Sequence, residues 1–434
     1  MKSRSDSNPY MLFFQQTLRL YLSLSLCLFI WNGRLFAQEF VPKDTIYDSK
    51  VHTVQLFHNS DSIVAPVLYL KSNQSLSLQF DLLESHGRRL YYSIYHFNSD
   101  WTPSDLELPE YMEGFDKADI ADYSTSLRTL YPYTHYSLSL PNSNCRFLVS
   151  GNYIVLVYEE DNTLLLSRRF FITDQSFSVK YRIETPYRPA EVHSHQEFTF
   201  EVQAIHSEKH IATNEVTLQV WQNQNPYSLI SSNDPNSSLD NIFRFDKRSV
   251  FSFPGLKEFR QKDIRTVVSK TRDIVTWDEK GGDYHAYLTT DFSRAYKTFV
   301  SDFDFNGRYV ITGISDQNKN TSAEYFKAHF RLEVPEVDKA VYIVGALTDW
   351  QLKPEFKMQY DQTDQSYKAS VLLKTGIYNF LYAVPDERGL PDFSELEGNS
   401  QETENEYYMG VYYRPFGARY DQLKYFKQFF SYNK

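Results

Sequence analysis

LSLQFDL (76–82) and RLYYSIYHF (89–97), separated by the turn-rich LESHGR, decide the fold class. In each run apolar and polar residues alternate, the period-two pattern of a strand with one face in a core. The same short, turn-bounded runs extend in both directions: VHTVQLF (51–57) and APVLYLKS (65–72) before, HYSLSLP (135–141), GNYIVLVYEE (151–160) and LLLSRRFFIT (164–173) after. The load of 34 Tyr and 33 Phe in 434 residues agrees, because rings pack well on pleated sheets. An all-β chain is expected, built of two or three immunoglobulin-like or early-set β-sandwiches in tandem.

The first sandwich is expected over 38–174. It contains a polar, helix-poor excursion from Asn98 to Thr125 and ends on the hairpin opened by Gly151-Asn152-Tyr153. A middle β-rich unit is expected over 175–334, from KYRIET (180–185), EFTFEVQA (197–204) and VTLQVWQN (216–223) to RYVITGIS (308–315) and AEYFKAHFRLEV (323–334). Within it, the Asn/Ser/Pro-rich 223–240 reads as a long surface loop. A third sandwich with a tail is expected over 335–434, from AVYIVGALTDW (340–350), FKMQYDQ (356–362), SYKASVLLK (366–374), GIYNFLYAV (376–384) and a last strand in EYYMGVYY (406–413). No internal repeat period is present.

At the N-terminus, Arg19 precedes an apolar run, Leu20–Trp31, that leads to the small-residue site Leu35-Phe36-Ala37. This is the layout of a signal peptide, with cleavage expected after Ala37. The run is shorter than the roughly 20 residues a membrane-spanning helix needs, and no comparable run recurs. The strands are shorter and less regular than the roughly 10-residue alternation of a membrane barrel, so no direct membrane insertion is expected. Cys27 follows Leu26 where a lipidation site wants a small residue, and no lipid anchor is expected. Loss of the leader leaves Cys145 as the one thiol, which rules out an internal disulfide in the processed chain.

The formal charge is −10, and it becomes −13 without the leader's Lys2, Arg4, Arg19, Arg34 and Asp6. With no clustered Lys/Arg run, nucleic acid is not an expected partner. No P-loop, dinucleotide glycine fingerprint, G-x-S-x-G elbow or H-E-x-x-H occurs. His193 and His195, with His206 and His210 after them, have a spacing that metal sites use. They lack a Cys or carboxylate at ligand spacing, so polar loop histidines are the preferred reading and no metal is expected. Acid pairs such as Glu159-Glu160 and Glu395 with Glu397 are too common here to single out a catalytic one. No catalytic residue and no cofactor is expected.

Large rings outside strands are the remaining candidates, because aromatic side chains carry much of the energy at protein interfaces. Trp101 and Phe115 in the excursion are candidate partner contacts. For Trp101 the preferred alternative is a ring capping the sandwich end under its loop, and Phe115 stays open between the two. Trp350 admits a contact role, a sugar-stacking platform or a ring folded over its sandwich. Tyr412, Tyr413 and Arg414, where the last strand meets the tail, complete the candidate set.

Several stretches together resemble the plug proteins of the type IX secretion system of Bacteroidota. They are TIYDSKVHTVQLF, YHFNSDWTPSDLELPEYMEGF, YTHYSLSLPN, SGNYIVLVYEED with LLSRRFFI, SFPGLKEFRQKDIRTV, VGALTDWQL, LLKTGIYNFLYAV and LEGNSQETENEYYMGVYYRPFGARYDQL, spread from about Thr45 to Leu423. The resemblance implies a non-enzymatic periplasmic protein that docks on the inner mouth of a large outer-membrane translocon barrel and closes it. GALTDW with LLKTGIYNFLYAV is also similar to early-set domains that include glycogen-binding modules. A carbohydrate-binding or polysaccharide-processing accessory role is therefore the alternative, with a glycan as its partner.

Overall fold

The computed structural model describes residues 40–58, 61–205, 210–266, 269–312 and 319–432. The expected leader, Cys27 and His206 lie outside them. Strands dominate, as the alternation requires, and the described α-helices are single turns such as Leu108–Tyr111 and Ser394–Glu397. None is long and apolar enough to cross a membrane.

The strands build three sandwiches. In the first, Val51–His58, Leu76–Leu82, Thr134–Leu140 and Asp122–Thr125 form one antiparallel sheet. The facing sheet runs Thr45–Ile46, Leu164–Thr173, Gly151–Tyr158, Tyr91–Phe97, Ala118–Asp119. Leu76, Leu78, Phe80 and Leu82 all point into the core against Tyr153, Val155 and Phe170, as a period-two strand demands. The opposite face of the same strand carries Asp81, which solvent would ordinarily claim. It is 1% exposed because the third sandwich covers that face.

The second sandwich departs from the expected order. One sheet holds Phe177–Glu184, His195–Ala204, Ile242–Phe245 and Ser237–Leu239, with Phe251–Pro254. The other runs Ile230–Ser232, Val216–Gln222, Glu406–Tyr413, Gln422–Phe430. EYYMGVYY, expected in the third unit, thus pairs with VTLQVWQ from Val216↔Tyr413 to Gln222↔Tyr407. Conversely, Tyr309–Ile311 and Tyr325–Glu333, expected to close the middle unit, pair with Gly376–Pro385 and Ser366–Lys374 in the third. Alternation shows that a segment is a strand and which residues face a core, but not which strand it meets. The third sandwich is inserted between the strands of the second.

Buried charges join the sandwiches. Asp81 accepts from Lys374 Nζ at 2.6 Å and from the Tyr325 hydroxyl at 2.6 Å, and pairs with His135 Nδ1 at 2.7 Å. Arg168 of the first sandwich reaches Asp349 of the third at 3.1 Å, and Arg308 of the third reaches Glu406 of the second at 2.8 Å. Burial pushes the Asp81 carboxyl up, but Lys374 and His135 outweigh it and hold it below the usual range.

Candidate functional site

The excursion of the first sandwich and the segment after Tyr413 are far apart in sequence, and the fold docks them on one another. Asp421 accepts from the Ser99 backbone N–H at 2.9 Å and its hydroxyl at 2.6 Å. The Arg419 carbonyl accepts from Asp105 N–H at 3.3 Å, and its guanidinium pairs with Glu110. Tyr420 sets its ring edge-on to His96 at 5.4 Å. Burial pushes His96 down to about 4, so it packs as a neutral ring.

Trp101 adopts φ 65°, a left-handed conformation uncommon for a bulky residue, in the turn closed by its N–H to the Asn98 carbonyl at 3.0 Å. Its half-buried ring meets Phe97 and Phe171, with the Arg169 guanidinium 4.8 Å above it. It forms one wall of a cleft of about 200 Å³ between the first and second sandwiches, whose other walls include Phe171, Trp221, Tyr408 and Phe426. Phe115 projects freely, 65% exposed. Arg414 is exposed and lies 3.4 Å from Asp421, while Tyr413 is half-buried against Phe177.

Two candidates are corrected. Trp350 is 3% exposed, wedged edge-on between Phe259 and Phe393, so it offers no face to a sugar or to a partner. The turn that carries it folds inward because Gly307 lets the ring approach its backbone. Tyr412 is 2% exposed and donates to Asn152 Oδ1 at 2.7 Å, joining the second sandwich to the first. Both faces of its strand are covered, so alternation there does not mark an exposed side. Phe416, fully exposed two residues past Arg414, was not singled out in the sequence, although Pro415 and Gly417 around it marked a loop.

Among the described residues, the remaining candidates are not brought together into one cluster. His193 and His210 are exposed and His195 bonds Ser194 Oγ at 2.9 Å, and no cluster of three or more His, Cys, Asp or Glu among the described residues could hold a metal. Glu159 pairs with Arg88 and Glu395 with Lys339. Glu397 is buried between Arg260 and Arg294, each at 2.8 Å. Cys145 is buried, and burial raises its thiol. The excursion and the segment after Tyr413 thus pack on one another, with Asp421 and Glu110 paired to Arg414 and Arg419 and with Phe115 and Phe416 left exposed.

Residues 51–174 match the family model described as the type 9 secretion system plug protein 1st domain. A crystal structure of a hypothetical protein from Parabacteroides merdae ATCC 43184 superposes with a TM-score of 0.85 at 28% identity, covering 89% of this chain and 99% of that one. The BSP domain of a biofilm associated protein, 7% identical, reaches a TM-score of only 0.18, covering 92% of this chain and 61% of that one. No curated protein matches.

Proposed function

The chain is a member of the type IX secretion plug family, and from that premise we propose that it is a non-catalytic stopper, which seats on the periplasmic opening of the outer-membrane translocon barrel and seals it. The observation that carries this reading is the bracing of three sandwiches by buried ion pairs at their junctions. A stopper must keep its shape under load, and cross-linked sheets with fixed surface loops meet that requirement without a reaction centre. It must also leave, which favours a contact surface less apolar than that of an obligate complex. The acidic, tyrosine-rich composition fits. The reading needs no cofactor, and it places the chain in the periplasm, held to the outer membrane only through its partner.

Affinity purification of the tagged full-length chain from native outer membranes tests the reading. The translocon barrel is expected to come with it, and the purified chain alone should show a β-type far-ultraviolet spectrum. Recovery of the chain in the outer-membrane fraction of cells lacking the barrel would refute it.

A further inference from the structure

Between the strands Asp291–Phe292 and Tyr309–Ile311 the backbone forms no strand or helix. Loops of more than about 12–15 residues without secondary structure are uncommon in compact proteins, and ordered ones usually bind something. This one is fastened from beneath by charged side chains that are themselves buried. Lys257, 7% exposed, donates to the Lys297 carbonyl at 2.7 Å, and Arg260 donates to the Phe292 carbonyl at 2.6 Å. The fully buried Glu397 accepts from Arg260 and from the loop's Arg294, and the Arg294 N–H reaches the Leu396 carbonyl at 3.0 Å. At the far end Asp304 accepts from the Phe259 N–H, and Asn379 accepts from the Phe305 N–H. Ala295 lies so close to Gly398 that a Cβ there would stand 2.6 Å from the Ala295 carbonyl oxygen.

The loop half-buries Phe299 and Phe305, yet it leaves its other large apolar side chains outside. Phe292 is 48% exposed, Val300 75%, Phe303 70% and Tyr296 fully. Single exposed apolar residues are ordinary, but four along one short segment fastened at both ends lose less backbone freedom on binding than they would on an untethered loop. A membrane is the wrong occupant: lipid surfaces bearing anionic headgroups attract basic segments, and this loop offers Lys297 alongside Asp302 on a chain of net charge −10. A second copy is disfavoured by the same charge, which would face itself. The chemistry left is a protein surface with an apolar recess and no excess of acid.

We propose that the loop from Ser293 to Asp304 is the element this chain inserts into an apolar recess of its type IX partner, with Tyr296, Val300 and Phe303 as anchors. The inference rests on the plug reading and supplies the contact surface that reading lacks. The test compares the full-length tagged chain with the variant Tyr296→Ser/Val300→Ser/Phe303→Ser in capture from native outer membranes. A control, Tyr187→Ser/Leu239→Ser, alters residues of the second sandwich that are 67% and 68% exposed. The loop variant should melt with the wild type and lose at least about tenfold in captured barrel, while the control keeps it. If the triple change lowers the melting point, Tyr296→Ser alone, at a fully exposed position, carries the comparison. Capture undiminished in the loop variant, or lost equally in the control, overturns the inference and leaves the plug reading standing. A wild type that captures no barrel overturns both. Loop-dependent flotation with phosphatidylethanolamine–phosphatidylglycerol vesicles would replace the protein partner with a membrane.

Discussion

Glu397 shows how much one side chain can hold. Burial alone would raise its carboxyl, but Arg260 and Arg294 outweigh that effect and keep it at about 2. A folded value below the unfolded one, about 4.3, means stability that is present above pH of about 4 and lost as pH falls through about 2. Glu397→Gln should cost about 3–5 kcal/mol at neutral pH by leaving two guanidiniums underpaired, and urea titrations at pH 7 and pH 3 should show a smaller loss on acidification than in the wild type. Gly307 has φ 83°, and a Cβ there would lie 2.6 Å from the Trp350 ring and 2.7 Å from Phe259. Gly307→Ala should therefore cost about 1–3 kcal/mol and shift tryptophan emission to the red as Trp350 meets water. At this scale the sequence was a partial guide. The polar excursion left Phe115 open between a contact and a cap, and the fold leaves it exposed; Trp350 and Tyr412 are indistinguishable in sequence from surface rings because what hides them is distant chain.

Elements were more legible than their partners. LSLQFDL announces its inward face, and GNYIVLVYEE with LLLSRRFFIT announces a hairpin, because both depend on local alternation and turns. EYYMGVYY gives no sign that it belongs beside Val216–Gln222, since strand pairing is settled by which faces remain uncovered once everything else has packed. The anchored loop after Phe292 was equally hidden. Lys257 and Arg260 look like surface charges in a string such as GLKEFRQKD, and only the fold shows them holding backbone from below. Deleting residues 405–434 removes Tyr407, Met409, Val411 and Phe429 from the second core. The remaining chain should then be cut by trypsin at Lys180, Arg182 and Arg244 faster than the intact protein, in which these sites lie in paired strands.

The molecule as a whole behaves as its junctions dictate. Lys374 and Asp81 are each 1% exposed, and removing one leaves the other charged and buried. Lys374→Ala should cost about 3–5 kcal/mol and split a single calorimetric transition in two, as the first and third sandwiches lose their tie. Lys50→Ala, which breaks the exposed pair with Glu84, should shift stability by no more than about 0.5 kcal/mol. The sandwich class was readable from composition and period, whereas the interlocking was not, because ion pairs between distant segments leave no local pattern.

The threading of the second sandwich around the third has a temporal consequence. Synthesis delivers Phe177–Pro254 early and the strands Glu406–Tyr413 and Gln422–Phe430 last. Until they arrive, Val216–Gln222 waits with an open, aggregation-prone flank. Any product that stops short of Phe430 leaves this central layer unfinished, so maturation doubles as an audit that only the complete polypeptide passes.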